Sequence, residues 1–243
     1  IPVTESGPDL DALERLCRSR SVRAIYSMPT LHNPLGWVMS LEQRQQLIAI
    51  ARAHDLHIIE DAAYAFLVEN PPPPLAELAP ERTVYVSGLS KNVAAGLRVG
   101  FIAAPAQTIA ALERMIRVTA WNTPGVMTSI ASAWLDDGTV SRLEVQKRQD
   151  AQARQIIADE QLAGLHSVRH PFSYFVWLPL AEDARAEQVV TALLREQISV
   201  STAQPFAIST HVPHAIRLAL ASVEMGALRG ALAKVKWVVE AYT

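Results

Sequence analysis

Residues 83–104 have the sequence TVYVSGLSKNVAAGLRVGFIAA. The two apolar runs in this stretch, TVYVS at 83–87 and VGFIAA at 99–104, are typical of buried strands. The segment between them contains Lys91 and, later, Arg98. Lysine is seldom buried in a core, but it is a suitable residue where an amine must react. The stretch therefore predicts a strand, a reactive loop and a second strand.

The composition is that of a folded domain. Of 243 residues, 50% are hydrophobic, and the net charge is −2. This content allows a substantial core and argues against disorder, while the charge offers no basic surface for nucleic acid. Cys17 is the only cysteine, which excludes an internal disulfide and favours a reducing, cytoplasmic location. No apolar run approaches the roughly 18 residues of a membrane span, so we expect no membrane partner.

Strands and helices alternate along the first part of the chain. VRAIYSM at 22–28 is predicted as a buried strand, and LHIIE at 56–60 as a second one. A helix is predicted between them, because Ser40 and Gln43 have the spacing of a capping box. This alternation predicts an α/β fold with a mostly parallel sheet.

The last third of the chain has a different pattern. FSYFVWL at 172–178 predicts a strand, and shorter strands are expected at 198–201 and 216–220. Two amphipathic helices are predicted from apolar residues at helical spacing. They are Ala186, Val189, Val190, Leu193 and Leu194 for one, and Met225, Leu228, Leu232, Val235 and Val239 for the other. We therefore predict a large domain at 1–145 and a smaller α+β subdomain at 146–243.

Polar side chains follow three of the predicted strands. They are Asn33 after the first, Asp61 and Tyr64 after the second, and Ser90, Lys91 and Arg98 after the third. In open α/β sheets, ligands bind at the carboxyl ends of the strands. One ligand could contact all of these groups if it were an aromatic aldehyde that carries a phosphate.

Each of these side chains has a chemical role toward such a ligand. The Lys91 amine could form a Schiff base with the aldehyde and later move protons at the substrate carbon. The Asp61 carboxylate could pair with a protonated ring nitrogen, which would make the ring an electron sink. For the phosphate, Arg98 offers a planar guanidinium and Ser90 a hydroxyl. Two further side chains can donate hydrogen bonds to a ring oxygen: Asn33 and Tyr64.

The order of these motifs resembles that of fold type I aminotransferases of class I and II, which use pyridoxal 5′-phosphate (PLP). Residues 55–104 are most similar to the aminotransferase-like domain of MocR-type transcriptional regulators, where the domain follows a GntR-type winged helix. The similarity lies in the stretches IIEDAAYAFL, PPPPLAELAPERTVYVSGLSK and GLRVGFIAAP. Arg217, within AIRLALAS, matches the arginine with which the family binds the substrate carboxylate.

The resemblance implies a PLP-binding domain, an amino acid or amine as its ligand, and a homodimer. DNA would be contacted only through a winged-helix domain that this chain does not contain. We favour an effector-sensing domain of a regulator. The alternatives are a stand-alone aminotransferase and a folded fragment without PLP.

Two departures from the family pattern bear on cofactor binding. Three residues before the lysine the family usually has Ser or Thr, whereas this chain has Gly88. The family's phosphate-binding glycine loop, its ring-stacking aromatic residue and its N-terminal arm all precede the strand that begins near Val22, and only 21 residues stand there. We therefore expect residues 1–243 alone to bind PLP weakly, to lack activity and to self-associate.

Overall fold

The computed structural model of the chain describes residues 1–4, 6–181, 184–210 and 212–242. The chain forms two compact units. The first comprises residues 1–32 and 37–147, and the second comprises residues 33–36 and 148–243.

A four-stranded sheet is the centre of the first unit. Its strands are β3 (Ala24–Ser27), β4 (His57–Asp61), β5 (Thr83–Gly88) and β6 (Gly100–Ala103), in that spatial order, and they follow a short hairpin of β1 (Val3–Thr4) and β2 (Gly7–Pro8). The pairs β3–β4 and β4–β5 are parallel, and β6 is antiparallel to β5. The prediction of an α/β fold with a mostly parallel sheet is therefore confirmed.

Six helices accompany this sheet in the described sequence. They are α1 (Leu10–Ser19), α2 (Leu41–Ala53), α3 (Leu75–Leu78), α4 (Ala106–Thr119), α5 (Gly125–Asp136) and α6 (Thr139–Gln161), the last of which is divided between the two units. The predicted capping box of α2 is confirmed, since Ser40 accepts from the Gln43 backbone N–H and donates its own N–H to the Gln43 side chain. Both bonds satisfy amide groups that the first turn of a helix leaves unpaired.

The two faces of the central sheet differ in exposure. Ile25 and Ile58 point to the buried face, whereas Tyr26 is 63% exposed and its neighbour Ile59 is 37% exposed on the other. The strand predicted at 22–28 is present as β3, but the prediction that it is buried is wrong for one of its two faces. In the described part of the first unit, β3 has the alternation of a strand that is covered on one side only.

Arg44 of α2 is fully buried and forms hydrogen bonds with the loops beside the sheet. Its guanidinium donates to the carbonyl oxygens of Met39 at 3.1 Å, Pro73 at 3.2 Å and Pro29 at 3.0 Å. It also donates to the Thr30 hydroxyl at 2.8 Å. A buried charge is costly unless it is hydrogen-bonded, and here the planar group reaches four oxygens.

The second unit has an antiparallel sheet. Its strands are β7 (Val168–Arg169), β8 (Phe175–Pro179), β9 (Ser201–Thr202) and β10 (Ala215–Ala219), in the spatial order β7-β8-β10-β9. The helices α7 (Ala186–Arg195) and α8 (Met225–Ala241) share an apolar core with one face of this sheet. Both helices were predicted, but Leu194 is 54% exposed rather than inward-facing. Of the strand expected at 198–201, only Ser201 is paired.

Candidate cofactor site

The carboxyl ends of β4 and β5 border a cavity of about 290 Å³ in the first unit. Its polar lining comes from Asp61, Ser87, Ser90, Lys91 and Arg98. Four of these are residues that the sequence singled out, namely Asp61, Ser90, Lys91 and Arg98. The two strands are parallel neighbours, so their carboxyl ends lie at the same edge of the sheet.

Asp61 is held by hydrogen bonds to both of its carboxylate oxygens. The Ala63 backbone N–H donates to Oδ1 at 2.9 Å, and the Tyr26 hydroxyl donates to Oδ2 at 2.6 Å. Partial desolvation of the hydroxyl, followed by its hydrogen bond to Asp61, raises the pKa of Tyr26, and the hydroxyl is a donor at neutral pH. Carboxylates keep about four acceptor positions, so Asp61 can still accept from a ligand.

Lys91 lies in a turn that is anchored by buried neighbours. The backbone N–H groups of Val93 and Ala94 both donate to the Leu89 carbonyl, and Leu89 is fully buried. On the other side, Asn92 is buried and donates to Glu144 Oε1 at 2.7 Å. Lys91 itself is exposed, with its amine 5.6 Å from the centroid of the Tyr64 ring. The turn therefore presents an exposed amine from an anchored backbone.

Arg98 is placed by an unusual backbone conformation. Its φ is +53°, which is the left-handed region that non-glycine residues rarely adopt. Leu97 before it and Val99 after it are both buried, and Arg98 is exposed toward the cavity. The left-handed residue ends a short 3₁₀ turn at Ala95–Leu97 and returns the chain to β6.

Gly88 lies where β5 and β6 approach each other closely. It pairs with Gly100, and a Cβ added to Gly88 would lie 2.9 Å from the Val99 carbonyl oxygen and 3.0 Å from Gly100 Cα. Both neighbours are backbone atoms, so neither can rotate away. This close approach explains why glycine stands where the family usually has Ser or Thr.

Three predicted site residues are not among those that line the cavity: Tyr64, which belongs to the first unit, and Asn33 and Arg217, which belong to the second. The Asn33–Pro34 peptide bond is cis, and Asn33 Oδ1 is buried without a hydrogen-bond donor among the described residues. Arg217 lies on β10, with its guanidinium carbon 5.0 Å from the centroid of the Phe175 ring and 5.5 Å from that of Phe206. The binding roles of all three residues stay predictions.

Two polar residues of the first unit, Tyr26 and Arg44, lie outside the motifs singled out above. Tyr26 lies in an apolar run that predicts a buried strand, and its bond to Asp61 depends on the register of β3 and β4. An arginine in a helix is usually exposed, so the residue type alone predicts the wrong environment for Arg44. The signal in the sequence is its spacing, since Arg44 lies three and four residues before Leu47 and Ile48 of the inward face.

Comparison with known families decides the classification. The family model for aminotransferase class I and II matches residues 2–235. The chain belongs to this family. PLP is the cofactor of these fold type I enzymes. The α/β architecture of this chain is the fold of that family.

Curated relatives of this family member include both regulators and enzymes. The chain is 24% identical over 223 residues to the uncharacterized HTH-type transcriptional regulator YdeF of Bacillus subtilis, which covers 90% of this chain and 48% of that protein. It is 29% identical over 234 residues to the 2-aminoadipate transaminase of Thermus thermophilus, which covers 92% of this chain and 59% of that protein. The chain thus spans about half the length of these relatives.

Among solved structures, the family member is similar to LysN, the α-aminoadipate aminotransferase of Thermus thermophilus, in complex with N-(5′-phosphopyridoxyl)-L-leucine. The TM-score is 0.91 at 26% identity, and the match covers 100% of this chain and 65% of that one.

The residues of the cavity fit the cofactor of the family. A carboxylate, a primary amine, a hydroxyl and a guanidinium line one space at the sheet edge. The carboxylate complements a ring nitrogen, the amine an aldehyde, and the other two groups a phosphate.

None of the helices in the described ranges combines the length and the apolar character that a transmembrane span requires.

Proposed function

We propose that this chain is the PLP-binding, aminotransferase-like domain of a MocR-type transcriptional regulator, with an amino acid or amine as effector. The observation that supports PLP binding is the cavity that Asp61, Ser90, Lys91 and Arg98 line together. The regulator assignment is supported by the similarity to YdeF and to other HTH-type regulators, such as YisV of Bacillus subtilis at 28% identity.

The second candidate is an aminotransferase that moves amino groups between amino acids and keto acids. The similarity to the 2-aminoadipate transaminase supports it. Both candidates use the same cavity, so the assignment of individual residues is common to them.

When bound, PLP supplies a reactive aldehyde and a ring that stabilises negative charge on an attached carbon. With PLP bound, Lys91 would be the residue that holds the aldehyde of the cofactor. The same amine would be placed to move a proton at the α-carbon of the ligand. Its exposed position on an anchored turn suits both tasks, because the nitrogen can move while the backbone stays fixed.

The other residues would hold and orient the cofactor and the ligand. Asp61 would accept a hydrogen bond from the protonated ring nitrogen, and the two hydrogen bonds that it already accepts fix the plane of its carboxylate. Arg98 and Ser90 bind the phosphate. The ring oxygen is assigned to Tyr64 and Asn33, and the carboxylate of the ligand to Arg217.

A homodimer in the cytoplasm belongs to this proposal. The dimer is supported by apolar side chains exposed on and after α4, of which Val118 is 74% and Trp121 76% exposed. Exposed apolar patches of this kind often mark protein interfaces. DNA would be bound only through a winged helix outside this chain.

The first experiment tests cofactor attachment. The native gene product is saturated with PLP, reduced with borohydride, digested and analysed by mass spectrometry. We expect a phosphopyridoxyl group on Lys91 and none in Lys91→Ala. Lys147, on α6, gives the matched control Lys147→Ala, which should keep the label on Lys91. Label on another lysine in the wild-type protein would contradict the assignment, and absence of binding would favour the fragment without PLP.

The second experiment separates regulator from enzyme. Amino acids are added to the PLP-loaded protein, and two signals are followed: keto-acid release with α-ketoglutarate as acceptor, and affinity for the promoter DNA of the protein's own gene. A regulator should change its DNA affinity without sustained turnover. Sustained turnover without a DNA response would favour the aminotransferase.

A further inference from the structure

A tyrosine that no motif of the sequence identified donates a hydrogen bond to Asp61. Tyr26 lies on β3 opposite Ile59 of β4, and Asp61 is two residues further along the same face. The hydroxyl oxygen of Tyr26 is 2.6 Å from Asp61 Oδ2, which is a short bond of the charge-assisted kind.

The bond to Tyr26 completes the orientation of the carboxylate. The other oxygen, Oδ1, accepts from the Ala63 backbone N–H at 2.9 Å. The backbone bond alone would leave the carboxyl group free to turn about its own axis. With one donor from β3 and one from the turn after β4, the group has one plane and one set of unused acceptor positions.

The exposure of Tyr26 argues against a mainly structural role. A side chain that is 63% exposed contributes little apolar burial to the fold. Its hydroxyl nevertheless approaches a carboxylate that lines the cavity.

We propose that Tyr26 is a positioning residue, which acts through Asp61 on the ring nitrogen of PLP. This inference rests on the proposed cofactor function. Tyr26 fixes the Asp61 carboxylate in the orientation that accepts the ring N–H. Loss of the hydroxyl leaves the carboxylate free to turn, so the bond to the ring nitrogen becomes weaker while the phosphate and aldehyde contacts are unchanged.

The test compares two ligands that differ at the ring nitrogen. The dissociation constants of PLP and of its 1-deaza analogue, in which carbon replaces that nitrogen, are measured with the apo form of the native gene product. The proteins are wild type, Tyr26→Phe and Tyr174→Phe. The last is a matched control, because Tyr174 also forms a hydrogen bond with an aspartate, Asp150, but in the second unit.

We expect Tyr26→Phe to weaken PLP binding by about threefold to tenfold, which is the effect of losing part of a charged hydrogen bond. Affinity for the 1-deaza analogue should change by less than about twofold, since it offers no ring N–H to Asp61. The control Tyr174→Phe should bind both ligands as the wild type does.

Equal weakening for both ligands would overturn the proposal, because it would indicate a general change of the site. Unchanged PLP affinity in Tyr26→Phe, with normal binding by the wild type, would overturn it while leaving the proposed function intact. Failure of the wild type to bind PLP at all would overturn both.

Discussion

Gly88→Ser introduces the hydroxyl that the family usually has at this position, and the structure predicts that the substitution destabilises the fold. The new Cβ would lie 2.9 Å from the Val99 carbonyl oxygen and 3.0 Å from Gly100 Cα. Real Cβ atoms essentially never approach so closely, so β6 must move away from β5 by several tenths of an ångström. The adjacent bond from the Leu89 N–H to the Val99 carbonyl, now 3.0 Å, would lengthen.

The cost can be worked from these two effects. Overpacking of a tight site costs about 1–3 kcal/mol, and weakening one backbone hydrogen bond adds about 0.5–1 kcal/mol. We therefore expect Gly88→Ser to lower the free energy of unfolding by about 1.5–4 kcal/mol, a large share of the roughly 5–15 kcal/mol of a typical domain.

Urea unfolding of the native gene product, followed by circular dichroism, measures the change. The matched control is Gly96→Ser, because a Cβ at Gly96 meets no atom within 4 Å. We expect the control to stay within about 0.5 kcal/mol of the wild type. If Gly88→Ser were as stable as the control, or bound PLP more tightly without losing stability, the steric explanation for Gly88 would be wrong.

Three further predictions concern other parts of the molecule. Arg44→Lys should lower the free energy of unfolding by about 3 kcal/mol or more, measured in urea, because an ammonium cannot reach the four buried oxygens; a loss below about 1 kcal/mol would contradict this. Burial lowers the pKa of His32 to about 4, so the unfolded chain binds more protons between pH 6.5 and 4 and stability falls as the pH falls. From pH 7 to 4.5 this protonation lowers the free energy of unfolding by about 2 kcal/mol. In His32→Gln, the free energy of unfolding measured in urea should fall by that much less over the same pH range. An unchanged pH dependence would exclude His32 as the cause. Arg217→Ala should weaken the spectral response of the PLP-loaded protein to amino acids and leave PLP affinity unchanged, and an unaltered amino-acid titration would count against its carboxylate role.

The elements that the sequence predicted well are those with local signals. The strands at 56–60, 83–87 and 99–104 lie within a residue or two of β4, β5 and β6, since their apolar runs end at turn residues. The α2 helix begins at its capping box, which is also a signal within a few residues of the sequence. The polar residues after β4 and β5 share a cavity because parallel neighbours end at one edge, which the alternation of elements already implied.

The features that the sequence did not predict depend on neighbours that are distant along the chain. The exposure of Tyr26 follows from which face of β3 is covered, and its bond to Asp61 follows from the β3–β4 register. The tightness at Gly88 depends on the approach of β6. In the second unit, Leu194 fitted the helical spacing, but the buried face of α7 is narrower than that pattern.

The hydrogen bonds of Arg44 have a consequence for how this sequence can vary. Three of the four oxygens that it reaches are main-chain carbonyls, at Pro29, Met39 and Pro73. Every amino acid supplies a carbonyl, so these positions can change as long as the backbone keeps its path. Only arginine supplies the fork of donors. Among related chains with the same loops, substitutions should therefore accumulate at the three acceptor positions, and position 44 should tolerate none.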